Sequence, residues 1–236
     1  MLKIVYNHAD WIIVNKPTGI SMQQEQDNPS ADSLLQNALS EVQKIDSQTT
    51  RLWPVHRLDK ATSGLVIFAK NASAAAEFGR LFEQHKIEKH YLAIACGKPR
   101  KKQGWVKGDM EKGRNGSWLL KRSLNKPAIT HFISCAIESN TPPAKRLYLV
   151  SPKSGKTHQI RVALKSLGCA ILGDARYKGE PANRCYLHAF SLKFEWQGEQ
   201  QAHICLPTAD MPTSEPQQDH WPILDDVELL APFFTN

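Results

Sequence analysis

The chain has 236 residues, 41% hydrophobic and 22% charged, a balance that builds a core and excludes disorder throughout. Thirty Lys and Arg against 23 Asp and Glu leave a formal charge of +7, which favours a polyanionic partner with nucleic acid as the leading class. The five cysteines include no C-x-x-C pair and fit a reducing, cytoplasmic setting, and no apolar run approaches the ~20 residues of a membrane helix.

The opening predicts two strands, 2–6 and 11–15, separated by the turn formers Asn7 and Asp10 and closed by Pro17 and Gly19. A helix follows, with Asp32 at its N-cap and Leu34, Leu35, Ala38, Leu39, Val42 and Ile45 on one apolar face. A polar loop then leads to a short buried strand, 65–69. The spacing predicts a helix over 73–85 that buries Phe78, Leu81 and Phe82, and a strand over 91–96 ended by Gly97 and Pro99. Further strands are expected at 130–135 and 146–150, and a helix at 157–167 with Thr157 at its N-cap and Gly168 just past its end. Alternation returns where His188, Phe190, Leu192 and Phe194 share one strand face, opposite Ala189, Ser191 and Lys193. The Pro-rich run 207–224 reads as an irregular surface segment, and Asp225 and Asp226 cap a short final helix through Leu230. Strands and helices mix without a βαβ period, which predicts an α+β fold.

Charge is concentrated. Residues 98–126 hold ten Lys or Arg against Asp109 and Glu111, a surplus of eight, so the rest of the chain carries a net −1. With Trp105, Trp118 and four glycines, this segment reads as a basic hairpin carrying aromatic rings, suited to RNA or DNA. Lys98, Arg100, Lys101 and Lys102 follow the Tyr91 strand and are expected at the edge of the cleft that Tyr91 lines. A solvated loop is the plainer alternative.

Three positions stand out for chemistry. Asp59 lies between Arg57 and Lys60 in a turn feeding the 65–69 strand, where it suits a nucleophile or electrostatic stabiliser; taken alone, it also suits a turn or cap. Arg161 falls about 60° beyond the core stripe of its helix on a 100°-per-residue wheel, either a cleft residue or an ordinary surface arginine. Tyr91 opens a strand, as a core filler or a stacking platform for a base. The run Ser154-Gly155-Lys156-Thr157 looks like a phosphate loop, but Val150 stands where such a loop has its first glycine, so no nucleotide cofactor is expected. The histidines show no ligand spacing, and no metal is expected.

Taken together, these segments resemble the RluA family of pseudouridine synthases, which isomerise uridine in ribosomal and transfer RNA. Asn15-Lys16-Pro17-Thr18-Gly19 is similar to the family's N-K-P-x-G motif, and His56 to Leu65 matches its H-R-L-D-x-x-T-S-G-L signature. Lys89 to Ala93, Asn125 to Thr130, Gly155 to Arg161, Gly173 to Tyr177 and Leu187 to Ala189 follow in the family's order. The resemblance implies a mixed, largely antiparallel central sheet with flanking helices and loops around an RNA-binding cleft. One catalytic domain over 1–236 is expected, acting as a monomer without a cofactor, with no room before Asn15 for the S4 domain of many relatives. The resemblance assigns Asp59 as the catalytic aspartate, Arg161 as the arginine paired with it and Tyr91 as the ring packed on the uracil. It implies that Arg57 helps displace the target base, with His56 beside it; from the charge concentration, Lys98, Arg100, Lys101, Lys102 and Lys126 are expected to contact RNA. Two other classes compete: an RNA chaperone that binds only, and an RNA N-glycosylase that liberates uracil.

Overall fold

The structure, a computed structural model, describes residues 2–24, 31–137 and 143–207. They form two compact units, one of residues 1–89 with 189–206 and one of residues 90–188.

In the first unit, β1 (Lys3–Asn7) and β2 (Trp11–Lys16) form an antiparallel hairpin. Trp11 to Val14 are all fully buried, so β2 reads as an apolar run rather than an alternation. The next element is α1 (Leu34–Gln43), whose N-cap is Ser33 rather than Asp32. The Ser33 hydroxyl accepts from the Gln36 amide while the Gln36 side chain accepts from the Ser33 amide, a reciprocal capping box. Leu34, Ala38 and Val42 form its buried stripe; Ile45 lies past the helix end and is exposed. β3 (Trp53–Pro54) and β4 (Ser63–Ala69) bracket the loop that holds Asp59. β4 pairs with β2 from Trp11 opposite Ala69 to Lys16 opposite Gly64, and with β3 through Pro54 opposite Phe68. α2 (Ala72–Glu83) starts where the Asn71 side chain accepts from the Ala74 amide at 2.8 Å.

The chain enters the second unit along β5 (Glu88–Cys96) and continues through β6 (Gln103–Gly108), β7 (Met110–Lys112), β8 (Trp118–Leu120), β9 (Ala128–Ile137) and β10 (Lys145–Pro152). Four of these form the antiparallel order β5-β10-β9-β6, and β7 pairs with β8 apart from it. The expected basic hairpin over 98–126 therefore divides into a strand of the sheet and a small separate hairpin. α3 (Gln159–Ser166) packs on β9 and β10. It starts later than Thr157 because His158 sits at its N-cap in a left-handed conformation with no side-chain cap; Gly168 follows its end at φ +87°, as expected.

β11 (Leu187–Trp196) and β12 (Glu199–Ile204) return to the first unit as an antiparallel pair. Alternation holds over its second half, where Leu192, Phe194 and Trp196 are buried and Lys193 and Glu195 exposed. It fails at Ala189, which is buried because the backbone of Gly64 lies against it: a Cβ on Gly64, itself at φ +110°, would overlap the Ala189 carbonyl and amide. Trp11, Phe78, Phe194 and Trp196 centre this unit's core, with the Phe78 and Trp196 rings stacked at 4.7 Å. The class is the mixed, largely antiparallel α+β one that the sequence predicts. Residues 208–224 of the Pro-rich run and the final helix lie outside the described residues.

Candidate active site

The first unit presents Asp59 from a fastened turn. Lys16, at the end of β2, is fully buried, and its Nζ donates to the carbonyls of Pro17 at 2.9 Å, Lys60 at 3.1 Å and Thr62 at 2.8 Å. Three carbonyls match the three donors of an ammonium. The Gly19 amide donates to the Lys60 carbonyl at 2.8 Å and the Thr18 hydroxyl to the Ala61 carbonyl at 2.9 Å, while Thr62 N donates to the Asp59 carbonyl at 3.0 Å. The Asn15-to-Gly19 segment thus acts as a brace for residues 59–62. Asp59 is half-buried and Arg57 exposed, with Leu58 buried between them.

His56 is anchored. Its Nε2 accepts from the Ile67 amide at 2.9 Å and its ring packs on Phe82 at 5.1 Å between centroids. By whole-residue exposure it is half-buried, yet the ring itself is set inward against β4. Burial, helped by the nearby Lys89 ammonium, pushes its pKa down to about 3, so it is neutral at physiological pH. Its bonded nitrogen secures the start of the loop. Beside it, Ser21 to Gln23 and Pro54 to Leu58 line a groove of about 530 Å³ with Arg57 on its wall.

In the second unit, Tyr91 is the first buried residue of β5, 9% exposed, opposite Val150 of β10. Arg161 is no surface arginine: six consecutive residues of α3, Gln159 to Leu164, are buried. Its Nε and Nη2 donate to the two carboxylate oxygens of Asp174 at 2.7 and 2.8 Å, a bidentate pair with side chains 6% and 1% exposed. The guanidinium also lies over the Tyr177 ring at 5.0 Å. The Tyr177 hydroxyl accepts from the Trp118 amide at 3.0 Å and shares a hydrogen bond with His158 Nδ1 at 2.9 Å.

Gln159 joins two of the sequence motifs. Its Oε1 accepts from the Ser154 hydroxyl and the Lys156 amide, and its Nε2 donates to the Ile129 carbonyl and the Thr130 hydroxyl. Sequence reasoning placed Gln159, Asp174 and Tyr177 inside motifs without giving them roles; buried polar residues among motif positions were the available signal.

The basic residues are separated by register. Tyr91 is level with Val150 and Phe132, whereas Cys96 is level with Lys145 and Ile137. Lys98, Arg100, Lys101 and Lys102, all exposed, follow the Cys96 end, about 17 Å along the strand from Tyr91 at about 3.4 Å per residue. They do not flank Tyr91. Lys126 and Lys156 instead extend from the ends of β9 and β10 nearer Tyr91. Among the described residues no group of three His, Cys, Asp or Glu is arranged to hold a metal ion, and no helix is long and apolar enough to cross a membrane.

The family model described as RNA pseudouridylate synthase matches residues 10–166. The chain is 46% identical over 209 residues to an uncharacterized RNA pseudouridine synthase of Haemophilus influenzae, covering 88% of each chain. It is 36% identical over 200 residues to the ribosomal large subunit pseudouridine synthase C of Rickettsia bellii, covering 80% of this chain and 62% of that one. Among solved structures, human RNA pseudouridylate synthase domain containing 1 has a TM-score of 0.70 at 24% identity, over 90% of this chain and 85% of that one, a likeness of fold.

Proposed function

The chain belongs to the RNA pseudouridylate synthase family, and on that footing we propose that it isomerises a defined uridine in structured RNA, with Asp59 as the acting carboxylate. Ribosomal RNA is the favoured class, because the Rickettsia bellii relative is named for the ribosomal large subunit. The observation that carries the reading is the brace: a buried ammonium and two further donors hold the backbone that presents Asp59. Such fastening fits a carboxylate that must meet a ribose within a fraction of an ångström.

The reaction breaks the N1–C1′ bond, turns the uracil and joins C5 to C1′; C5 loses its proton to solvent and N1 gains one. An ionised Asp59 acts on the ribose as the base departs. Arg161, aligned by Asp174, is the arginine that serves the reaction. Tyr91 packs on the uracil face, which allows rotation that a hydrogen-bonded clamp would resist. A stacked target must first be flipped out at a cost of a few kcal/mol, with Arg57 entering the vacated stack. His56 contributes by anchoring Arg57. Lys98, Arg100, Lys101 and Lys102 grip phosphates away from the target. The five free thiols fit a cytoplasmic enzyme, which works as a monomer in this reading.

RNA tritiated at uridine C5 tests the reaction. Tritium should appear in water at one site per RNA, located by base-resolution mapping. RNA binding without release would leave a chaperone, and free uracil would leave an N-glycosylase.

A further inference from the structure

A cavity of about 520 Å³ in the second unit is lined by residues of which only Lys126 and Trp118 have been given a part above, and neither a defined ligand. Its volume falls in the range of small-ligand pockets. Two of its walls are chemically distinct. Met110 and Trp118, from the β7–β8 hairpin, supply an apolar and aromatic side; Lys126 and Lys156 supply two exposed ammonium groups from separate loops. At Gly155, also in the lining, a Cβ would meet nothing within 4 Å.

Both lysine loops are preset. Asp109 accepts from the backbone amides of Asn125 at 3.0 Å and Lys126 at 2.8 Å. Those amides, with the Ser123 hydroxyl as the largest influence and Lys156 nearby, hold the Asp109 carboxyl below its usual range, so it remains an ionised acceptor. Gln159 fixes the Lys156 amide from the other side. The hairpin is tied by its backbone: Trp118 N donates to Tyr177, and the Arg176 guanidinium donates to the Asn115 carbonyl at 2.9 Å. Trp118 is therefore positioned by its main chain, and its indole is half-buried and lines the cavity.

We infer that this cavity is a binding subsite for one unpaired nucleotide of the RNA, its base stacked on Trp118 against Met110 and its phosphate held by Lys126 and Lys156. The inference rests on the reading that the substrate is RNA. An aromatic wall beside paired cations matches the two faces of a nucleotide. The nucleotide must be unpaired, because in a helix both faces of a base are already stacked. The subsite lies toward the Tyr91 end of the sheet, so it takes a residue near the target uridine.

Single-stranded oligoadenylate is the probe, since it contains no uridine and reports the subsite independently of isomerisation. Trp118→Ala should weaken its binding about tenfold or more, and Trp118→Phe, which keeps a ring, should retain most of the affinity. Lys126→Gln combined with Lys156→Gln should flatten the slope of log affinity against log salt by about 0.7, the share of the one phosphate they hold. A melting temperature unchanged in the double lysine variant separates binding from folding. Unchanged affinity in Trp118→Ala, equal loss in Trp118→Phe, an unchanged salt slope in the lysine variant, or binding confined to duplex RNA would each overturn the subsite. Failure of the wild-type enzyme to release tritium from any RNA would instead overturn the activity and leave these binding results standing.

Discussion

The two units hold a buried cation in opposite ways. Lys16 in the first unit directs its ammonium at three backbone carbonyls, so its charge is used to shape a loop. Arg161 in the second is fastened to a formal anion, Asp174, through two parallel bonds. Removing Lys16 loosens a turn and leaves dipoles behind; removing Asp174 leaves the charge of Arg161 in the interior without its bidentate partner. Carbonyl dipoles therefore suit a loop that must be placed accurately, and the ion pair suits a side chain that must point one way.

The sharpest way to separate placing from chemistry is Asp59→Asn, which leaves the brace untouched. Tritium release should fall by about 10⁴-fold or more, on the scale seen when an attacking group is removed, with RNA affinity nearly unchanged. Turnover within tenfold of wild type would remove Asp59 from the reaction.

Asp174→Ala should cost about 3–5 kcal/mol in urea unfolding, because a buried pair is broken on one side. Replacing both partners, Arg161→Met with Asp174→Leu, should recover most of that stability without recovering turnover. Recovery of turnover in the double variant would show that Arg161 serves folding only.

Lys16→Met should be milder in stability, about 1–3 kcal/mol for carbonyls left unsatisfied. Its turnover should still fall on the order of a hundredfold, as the Asp59 turn shifts. Normal kcat in a folded Lys16→Met enzyme would mean that the brace does not position the acid.

His56 extends the comparison to pH. Its folded pKa of about 3 lies below the ordinary 6.5, so the unfolded chain binds a proton that the folded one refuses. The associated stability is fully present above pH 6.5 and is lost as pH falls toward 3, at up to about 1.4 kcal/mol per pH unit. Urea unfolding of His56→Gln should show a flatter loss over this window; an unchanged profile would place the acid sensitivity elsewhere.

The smallest expected effect concerns the loop after β5. Changing Lys98, Arg100, Lys101 and Lys102 to Gln should reduce the salt slope of RNA binding by up to about three units. An unchanged slope would make this a solvated loop despite its charge.

Local chemistry made much of this molecule legible from sequence. The apolar run of β2, the helical spacing of Phe78 and Leu81, and Gly168 after α3 were readable because each depends on neighbours along the chain. Asp59 stood out because the H-R-L-D-x-x-T-S-G-L run is long and collinear with the other motifs. The two N-caps were each displaced by one residue, since Ser33 and Asp32 are both good caps and His158 takes its backbone conformation without a side-chain cap. What the sequence could not contain was distance. Lys16 reaches carbonyls 44 and 46 residues away, Gln159 joins β9 to the loop before α3, and Asp174 meets Arg161 across a turn. Strand register alone sends Lys98 to Lys102 to one end of β5 while Lys126 and Lys156 lie toward the Tyr91 end. Composition determines how much positive charge the chain carries; the antiparallel pairing of strands distant in sequence decides where that charge stands, because backbone hydrogen bonds set register only when the partner strand is in place.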